Sequence, residues 1–337
     1  MEINNRVYQN IPTNIITGFL GVGKTSAILH LLAHKPADQR WAVLVNEFGE
    51  IGIDGALMKD TGAFIKEVPG GCMCCSSNLP TQMALNLLIK QAAPDRILIE
   101  PTGLGHPERV IAMLREPHHR SVLDLRATVC LVDPRKLSDS RYRENPAFTD
   151  QIALSDVLVA NRCDLCSGDE IEAFYRFASA SQPPKARVAL VVHGAIDVVW
   201  LDATTSETRR AVHPEAHSPP HDPHGEDHSH GDDRVRVADA RWDRVENSGD
   251  GFFSCGWRFD AGMLFGTQAL EQLFSREPVL RIKGVFHTER GWQQFNAVDG
   301  MCTARPCMAA GASIIEAIDR SRNWEPLERG LLDSLVP

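Results

Sequence analysis

Residues 18–25 read GFLGVGKT, and this segment constrains the fold of the chain more than any other. It fits the pattern G-x-x-x-x-G-K-[ST] and lies between a predicted strand at 14–17 and a helical pattern at 25–33. In such a strand–loop–helix arrangement, backbone N–H groups and the positive end of the helix surround a chain of phosphates. The pattern therefore predicts a nucleotide site made by Gly18, Gly21, Val22, Gly23, Lys24, Thr25 and Ser26.

Three residues are predicted to do the chemistry at this site. Lys24 is expected to reach the β- and γ-phosphates, and the Thr25 hydroxyl is expected to bind Mg²⁺. The apolar run that precedes Glu100 predicts a neighbouring strand, whose terminal carboxylate would hold Mg²⁺ or one of its waters. Gly103 follows and allows the backbone to approach the γ-phosphate. The alternative is that Glu100 is only a solvated residue at the end of a strand.

The segment Asn161-Arg162-Cys163-Asp164 follows another apolar run and predicts which base is bound. Asn-Lys-x-Asp at this position is the guanine-reading signature of GTPases. A carboxylate at Asp164 would accept hydrogen bonds from guanine N1–H and N2–H, a donor pair that adenine does not offer. Arg162 replaces the usual lysine, and its stem and planar head are expected to cover the base. The sequence therefore favours GTP over ATP.

Three cysteines lie within four residues in the segment GGCMCC at 70–75. The segment follows a predicted strand at 64–68 and precedes a helix that is expected from about Asn78. Zn²⁺ binds thiolates readily and prefers four ligands. Cys72, Cys74 and Cys75 are thus predicted to bind zinc, with the fourth position left for water, for Glu50 or for an acceptor protein. The alternatives are a redox pair and buried, inert thiols.

Four segments together resemble the CobW-type metallochaperone GTPases, which are relatives of the urease- and hydrogenase-maturation GTPases. They are GFLGVGKT, VNEFGEIGID at 45–54, GGCMCC and EPTGLGHP at 100–107, the last being similar to the zinc-binding YeiR-like branch. The resemblance implies that Gly21, Gly23, Lys24, Thr25, Asn161 and Asp164 bind GTP with Mg²⁺, and that the three cysteines bind the metal. It further implies that residues 46–54 respond to the nucleotide.

The hydrophobic pattern predicts an α/β fold with a P-loop GTPase domain at 1–203 and a smaller α+β domain at 236–337. Near-continuous apolar runs that alternate with helical patterns are typical of parallel strands buried on both faces. Between the domains, residues 204–235 are expected to form a flexible linker, because this segment has too few apolar residues to fold. Six histidines lie at 213–230, and they form either a solvated tail or a weak metal reservoir.

In the second domain, Phe252–Phe259 is predicted to be a strand, with Asp260 capping a helix that runs to Phe274. Val279–Phe286 and Trp292–Ala297 are predicted to pair, and Leu327–Leu335 is predicted to be the last helix.

Composition excludes several functions for this chain of 337 residues. Its net charge of −9 does not suit a nucleic-acid-binding surface, and the sequence contains no apolar run long enough to predict a membrane span. The first residues do not resemble a secretory signal, so we expect a cytoplasmic protein with reduced cysteines. The oligomeric state is left open.

The resemblance implies a GTP-hydrolysing metallochaperone that binds a divalent metal at CxCC and delivers it to a client protein. Zn²⁺ is favoured, and Co²⁺ or Ni²⁺ also suits such ligands. Hydrolysis is expected to be slow, since the sequence offers no obvious catalytic glutamine or arginine finger. A zinc storage protein that binds nucleotide, and a P-loop kinase for small molecules, are the alternatives.

Some residues allow two interpretations. Glu50 and Asp54 are either switch carboxylates or solvated, and His106 is either a loop cap or a ligand. Cys163 and Cys166 form a second C-x-x-C pattern, which is interpreted as incidental.

Overall fold

The computed structural model describes residues 8–46, 63–68, 79–105, 107–214, 236–238, 241–249, 252–277, 279–298, 300–307 and 309–336. These residues belong to two compact units, one over the described residues from 8 to 214 and the other over those from 236 to 336. None of the helices in the described ranges combines the length and the apolar character that crossing a membrane requires.

The first unit alternates strands and helices, as the hydrophobic pattern predicts. Its strands are β1 (Ile11–Gly18), β2 (Trp41–Asn46), β3 (Phe64–Val68), β4 (Arg96–Glu100), β5 (Leu123–Leu125), β6 (Val129–Val132), β7 (Val157–Ala160) and β8 (Arg187–Leu190). Its helices are α1 (Lys24–His34), α2 (Leu79–Ala92), α3 (Pro107–Leu114), α4 (Pro117–Arg120), α5 (Ser140–Arg143), α6 (Pro146–Leu154) and α7 (Gly168–Ser179). Short 3₁₀ turns lie at Pro134–Lys136, Cys163–Leu165 and Val198–Asp202.

All strand pairs in this first sheet are parallel, in the order β3-β2-β4-β1-β6-β7-β8, with β5 paired to the start of β1. Successive side chains along a strand of this sheet pack into two different hydrophobic cores, one on each face of the sheet. In β4, Ile97 and Ile99 pack in the core that contains α2 and α3, whereas Leu98 packs in the core that contains α1. Both faces of the sheet are therefore covered by helices, and the predicted α/β fold is confirmed.

The second unit is an antiparallel sheet with two helices. Its strands are β9 (Arg236–Ala238), β10 (Trp242–Gly249), β11 (Phe252–Asp260), β12 (Arg281–Thr288), β13 (Gly291–Val298), β14 (Met301–Pro306) and β15 (Ala312–Asp319), and its helices are α8 (Thr267–Arg276) and α9 (Glu325–Asp333). The strand order is β14-β13-β12-β15-β11-β10-β9. One core of this unit packs aromatic rings, including Trp257, Phe265 and Phe286, against side chains of α8 and α9.

The predicted start of α8 is wrong. Asp260 does not cap this helix, because it is the last residue of β11, where it pairs with Ala312 of β15. The helix begins only at Thr267, after a turn and an isolated bridge at Phe265. The sheet register extends the strand through Asp260, so the local capping preference of aspartate is overridden.

Residues 204–214 belong to the ordered part of the first unit, although the sequence predicts a linker from 204. The Arg209 guanidinium donates to Asp156 at 2.9 Å and to the carbonyl oxygens of Pro183 and Pro184. The backbone N–H of Val212 donates to Asp150. Ala211 packs against the hydrophobic core of the first unit, and these polar contacts hold the rest of the segment. The rest of the predicted linker, from 215 to 235, lies outside the described residues.

Candidate functional site

The predicted nucleotide residues lie at the edge of the sheet where the parallel strands end. Gly18 ends β1 and is in register with Leu131 of β6, while Glu100 ends β4 and is in register with Val45 of β2. Asn161 comes directly after β7. In open parallel sheets, ligands bind outside the carboxyl ends of the strands. The fold thus places loops from three separate parts of the chain at the edge that binds ligands in such sheets.

The loop from Gly18 to Gly23 leaves no room for side chains at its tightest point. Gly23 has a φ of +102°, in the left-handed region that favours glycine. A Cβ atom at Gly23 would lie 2.6 Å from the Asn161 Nδ2 atom. Helix α1 begins at the next residue, so the open N–H groups of its first turn face the loop. This is the cradle that a phosphate chain requires.

Lys24 is 6% exposed, which is unusual for a lysine. Its ammonium group donates a 2.9 Å hydrogen bond to the Gly18 carbonyl oxygen. A Cβ atom at Gly103 would lie 2.9 Å from the same nitrogen. The ammonium group therefore lies between the start of the loop and the segment after β4, where the sequence predicts that the γ-phosphate binds.

Thr25 and Glu100 lie together at this edge. The Thr25 hydroxyl donates a 3.3 Å hydrogen bond to a Glu100 carboxylate oxygen, and Glu100 is buried. A hydroxyl and a carboxylate are hard oxygen ligands of the kind that Mg²⁺ prefers. The pair fits the predicted magnesium site, and the interpretation of Glu100 as a solvated strand end is at odds with its burial.

Gln151 of α6 holds the segment after Glu100. No sequence pattern predicts this residue as part of the site. Its amide nitrogen donates to the carbonyl oxygens of Gly103 and Gly105, at 3.1 and 3.0 Å. The backbone N–H of Leu104 donates to the Thr102 hydroxyl. The loop that faces Lys24 is thereby fixed by a buried side chain from a helix that is distant in sequence. A glutamine inside a helical pattern gives no sequence signal for this role.

Asn161 links the loop from Gly18 to Gly23, called the phosphate loop below, to the loop that contains Gly194. Its side-chain nitrogen donates a 2.9 Å hydrogen bond to the Val22 carbonyl oxygen, and its oxygen accepts a 3.0 Å hydrogen bond from the Gly194 backbone N–H. Gly194 also lies against α1, since a Cβ atom there would be 2.6 Å from the Ala27 backbone nitrogen. Sequence reasoning did not identify Gly194, whose φ of +74° marks a turn after β8.

Arg162, the residue that departs from the GTPase signature, also contacts the loop from Gly18 to Gly23. Its guanidinium donates a 2.6 Å hydrogen bond to the Gly21 carbonyl oxygen and lies 3.9 Å from the Asp133 carboxylate. Asp133 also pairs with Arg135 at 2.6 Å. The guanidinium of Arg162 therefore takes part in holding the loop, a contact that the sequence does not predict.

Asp164 is exposed in the 3₁₀ turn that follows Arg162, as a carboxylate that reads a base must be. The neighbouring thiols are engaged with backbone: Cys163 donates to the Ala160 carbonyl oxygen and Cys166 to that of Arg162. Burial raises the pKa of Cys166 to about 11 and that of Cys163 above its ordinary value. Both thiols contact backbone carbonyl oxygens, and the interpretation of this C-x-x-C pattern as incidental stays a prediction.

The predicted thiolate site lies outside the described residues. This applies to Cys72, Cys74 and Cys75, to Glu50, Asp54 and His106, and to the segment 47–54. What the structure does describe is the position of the flanking elements: β3 ends at Val68 in parallel register with Asn46 at the end of β2, and α2 begins at Leu79. The metal-binding role of the cysteines stays a prediction.

Comparison with known proteins gives matches over most of the chain. Residues 12–188 match the profile of the CobW/HypB/UreG nucleotide-binding domain. Over 327 residues the chain is 42% identical to the zinc chaperone YeiR of Escherichia coli (strain K12), covering 95% of this chain and 97% of that protein. It is 33% identical over 193 residues to the zinc chaperone CobW of a Sinorhizobium species, and this match covers 48% of this chain and 54% of that protein. The structural alignment with the crystal structure of the Zn(II)-bound YjiA GTPase from E. coli covers 96% of this chain and 99% of that one. Its TM-score is 0.42 and the sequence identity is 17%.

Proposed function

This chain belongs to the CobW/HypB/UreG family, and from that premise we propose that it is a GTP-hydrolysing metallochaperone. It binds a divalent transition metal, with Zn²⁺ as the favoured cargo, and delivers it to a client protein. The 42% identity to a protein named as a zinc chaperone, over nearly the full length of both chains, supports zinc as the cargo. Co²⁺ and Ni²⁺ suit the same thiolate ligands.

Lys24, Thr25 and Glu100 perform the nucleotide chemistry in this proposal. The Lys24 ammonium, held at Gly18, neutralises charge on the β- and γ-phosphates. Thr25 and Glu100 would hold Mg²⁺, which would supply positive charge to neutralise the charge that develops on the phosphates. Gln151 positions the Gly103 loop so that its backbone approaches the γ-phosphate. Gly18, Gly21, Val22, Gly23 and Ser26 complete the phosphate contacts.

Asp164 selects guanine, and Asn161 and Arg162 hold the base-reading segment against the phosphate loop. The carboxylate of Asp164 accepts from two guanine N–H groups, and charge-assisted hydrogen bonds are worth about 1.5–3 kcal/mol. The hydrogen bonds from Asn161 to Val22 and from Arg162 to Gly21 tie base recognition to the phosphates.

Cys72, Cys74 and Cys75 bind the cargo metal as thiolates, and Glu50 or a residue of the client supplies the fourth ligand. Segment 46–54 begins at the end of β2, and β2 is a direct neighbour of β4, which carries Glu100. GTP with Mg²⁺ orders that segment and so changes metal affinity. Hydrolysis relaxes it and releases the metal to the client in the cytoplasm.

The observation that best supports this proposal is the meeting of Lys24, Thr25 and Glu100 at one sheet edge. The test is the release of phosphate from GTP with and without Zn²⁺, in the parent and in Lys24→Ala. Lys35→Ala is the matched control, since Lys35 follows the C-terminal end of α1 and its ammonium group donates a hydrogen bond to the Gln39 carbonyl oxygen.

We expect slow release that Zn²⁺ alters, lost in Lys24→Ala and kept in Lys35→Ala. A zinc storage protein would release no phosphate, and a small-molecule kinase would transfer it to an acceptor other than water. Either of those results would contradict the proposal.

A further inference from the structure

A group of side chains far along the chain from the predicted thiolate site has the composition of a metal site. Glu116, His118 and His119 lie around the short helix α4, between α3 and β5. One ligand atom from each residue lies within 4.8 Å of those of the other two. Among the residues that the structure describes, no other set of three His, Cys, Asp or Glu side chains meets this condition.

His119 is the fixed member of this group. It is 4% exposed, and its Nδ1 atom lies 2.8 Å from the Met113 carbonyl oxygen. Because a carbonyl only accepts, Nδ1 carries the proton and Nε2 carries the lone pair. Nε2 is buried and has no hydrogen-bond partner among the described residues. A ring nitrogen in that state is oriented as metal-binding histidines are, with the other nitrogen bonded to a carbonyl group.

Glu116 and His118 are the adjustable members. Their side chains are partly exposed, and His118 Nε2 lies 3.4 Å from a Glu116 carboxylate oxygen. Two ligands bound at about 2.0–2.1 Å on a tetrahedral zinc lie roughly 3.4 Å apart, so this pair already has the required separation. The His118 and His119 rings are 4.1 Å apart between centroids. The side chains of His118 and Glu116 are 60% and 39% exposed, so both can rotate toward a bound ion.

Glu116 is not needed as a helix cap. It occupies the N-cap position of α4, yet its carboxylate accepts no capping hydrogen bond from the described N–H groups of that turn. A buried imidazole nitrogen that lacks a partner costs free energy, and a bound cation removes that cost. Neither feature is explained by packing of the helix.

We propose that Glu116, His118 and His119 form a second divalent-metal site that takes Zn²⁺ through two imidazole nitrogens and one carboxylate oxygen. Water fills the fourth position, as in open sites with three protein ligands. The site is separate from the nucleotide edge and does not depend on the proposed GTPase function. Its nitrogen and oxygen ligands are harder than the three predicted thiolates. The site is therefore an additional zinc site with a different ligand set from the CxCC site.

The test uses the full chain with Cys72, Cys74 and Cys75 replaced by serine, so that the predicted thiolate site does not contribute. Zinc bound at equilibrium with a metal buffer is measured in this parent, in His118→Gln and in Glu116→Gln. His287→Gln is the matched control, since its ring also bonds a backbone carbonyl, that of Ala261, and lies in the other unit. The histidines at 213–230 are the same in every variant.

We expect His118→Gln and Glu116→Gln to weaken one zinc equivalent at least tenfold, the low end of what losing even an outer-shell partner costs. His287→Gln should bind as the parent does. In imidazole ¹⁵N spectra, zinc should shift two more ring signals in the parent than in His118→Gln. Unchanged binding in both cluster variants would overturn the site. An equal loss of zinc affinity in His287→Gln would also overturn it. The same would hold if zinc shifted the same number of ring signals in the parent and in His118→Gln.

Discussion

Thr25 and Glu100 are 75 residues apart in the sequence, yet the Thr25 hydroxyl donates a 3.3 Å hydrogen bond to the Glu100 carboxylate. This contact joins the first turn of α1 to the end of β4, and it brings together the two oxygen groups that we propose as Mg²⁺ ligands. It forms because β1 and β4 are neighbouring parallel strands whose carboxyl ends lie at the same edge.

Thr25→Ala should therefore weaken nucleotide binding in the presence of Mg²⁺ by about tenfold to a hundredfold, the equivalent of one charge-assisted contact. Thr25→Ser keeps the hydroxyl and is the control. Binding titrations with Mg²⁺ and with a chelator separate the effects, since the loss should vanish without Mg²⁺. A loss of equal size in both conditions would mean that Thr25 acts only through the fold.

Gly103→Ala should slow GTP turnover by roughly 10- to 100-fold, the cost of misplacing reacting groups by about 1 Å. The added methyl group would lie 2.9 Å from the Lys24 ammonium and 3.0 Å from the Leu20 backbone nitrogen. Gly168→Ala is the matched control, because nothing lies within 4 Å of a Cβ atom there. Single-turnover phosphate release is measured for both variants. Equal release rates in Gly103→Ala and Gly168→Ala would contradict the role of Gly103.

Asn161 and Asp164 should respond differently to substitution. Asn161→Ala leaves the buried Val22 carbonyl and Gly194 N–H without their partner, so it should cost about 1–3 kcal/mol of unfolding free energy and weaken all nucleotides. Asp164→Asn should leave stability unchanged and shift preference from GTP toward XTP, whose extra carbonyl accepts from the new amide. Competition among GTP, XTP and ATP measures this shift, and unchanged GTP selectivity would refute the base assignment.

Arg209→Ala should lower the free energy of unfolding by about 3–5 kcal/mol, because it leaves the buried Asp156 carboxylate without its cation. The two side chains are 4% and 6% exposed and lie 2.9 Å apart. Arg120→Ala is the control, since its contact with Glu207 is 3.7 Å long and exposed, and such pairs contribute about 0–1 kcal/mol. Urea denaturation compares the two, and similar losses would show that residues 204–214 add no specific stability.

The sequence predicts the first unit well because its signals are local. The phosphate loop, the apolar strands and the residues that follow them are contiguous in sequence, and a parallel sheet then brings them to one edge. Gln151 and Gly194 were missed for the opposite reason. Each acts across the fold on a distant backbone group, so neither carries a pattern in its own segment.

The second unit was predicted less completely. Strand β15 has the buried charge Glu316 in its middle, which interrupts the apolar pattern. Strand β14 is mostly exposed at the edge of the sheet and has no apolar run. For residues 204–214 the low apolar content predicts a linker, but an ion pair and backbone hydrogen bonds order the segment instead.

In the proposed function, the nucleotide and the metal change each other's affinity for the same protein. Linkage requires GTP and metal to change each other's affinity by the same factor, typically about five- to 150-fold. The most direct measurement is a zinc titration against a competing chelator, with GDP and with a non-hydrolysable GTP analogue. We predict tighter zinc binding in the GTP-analogue state, and we predict that replacing Cys72, Cys74 and Cys75 by serine removes the difference while nucleotide still binds. Equal zinc affinities in the two nucleotide states would contradict the account.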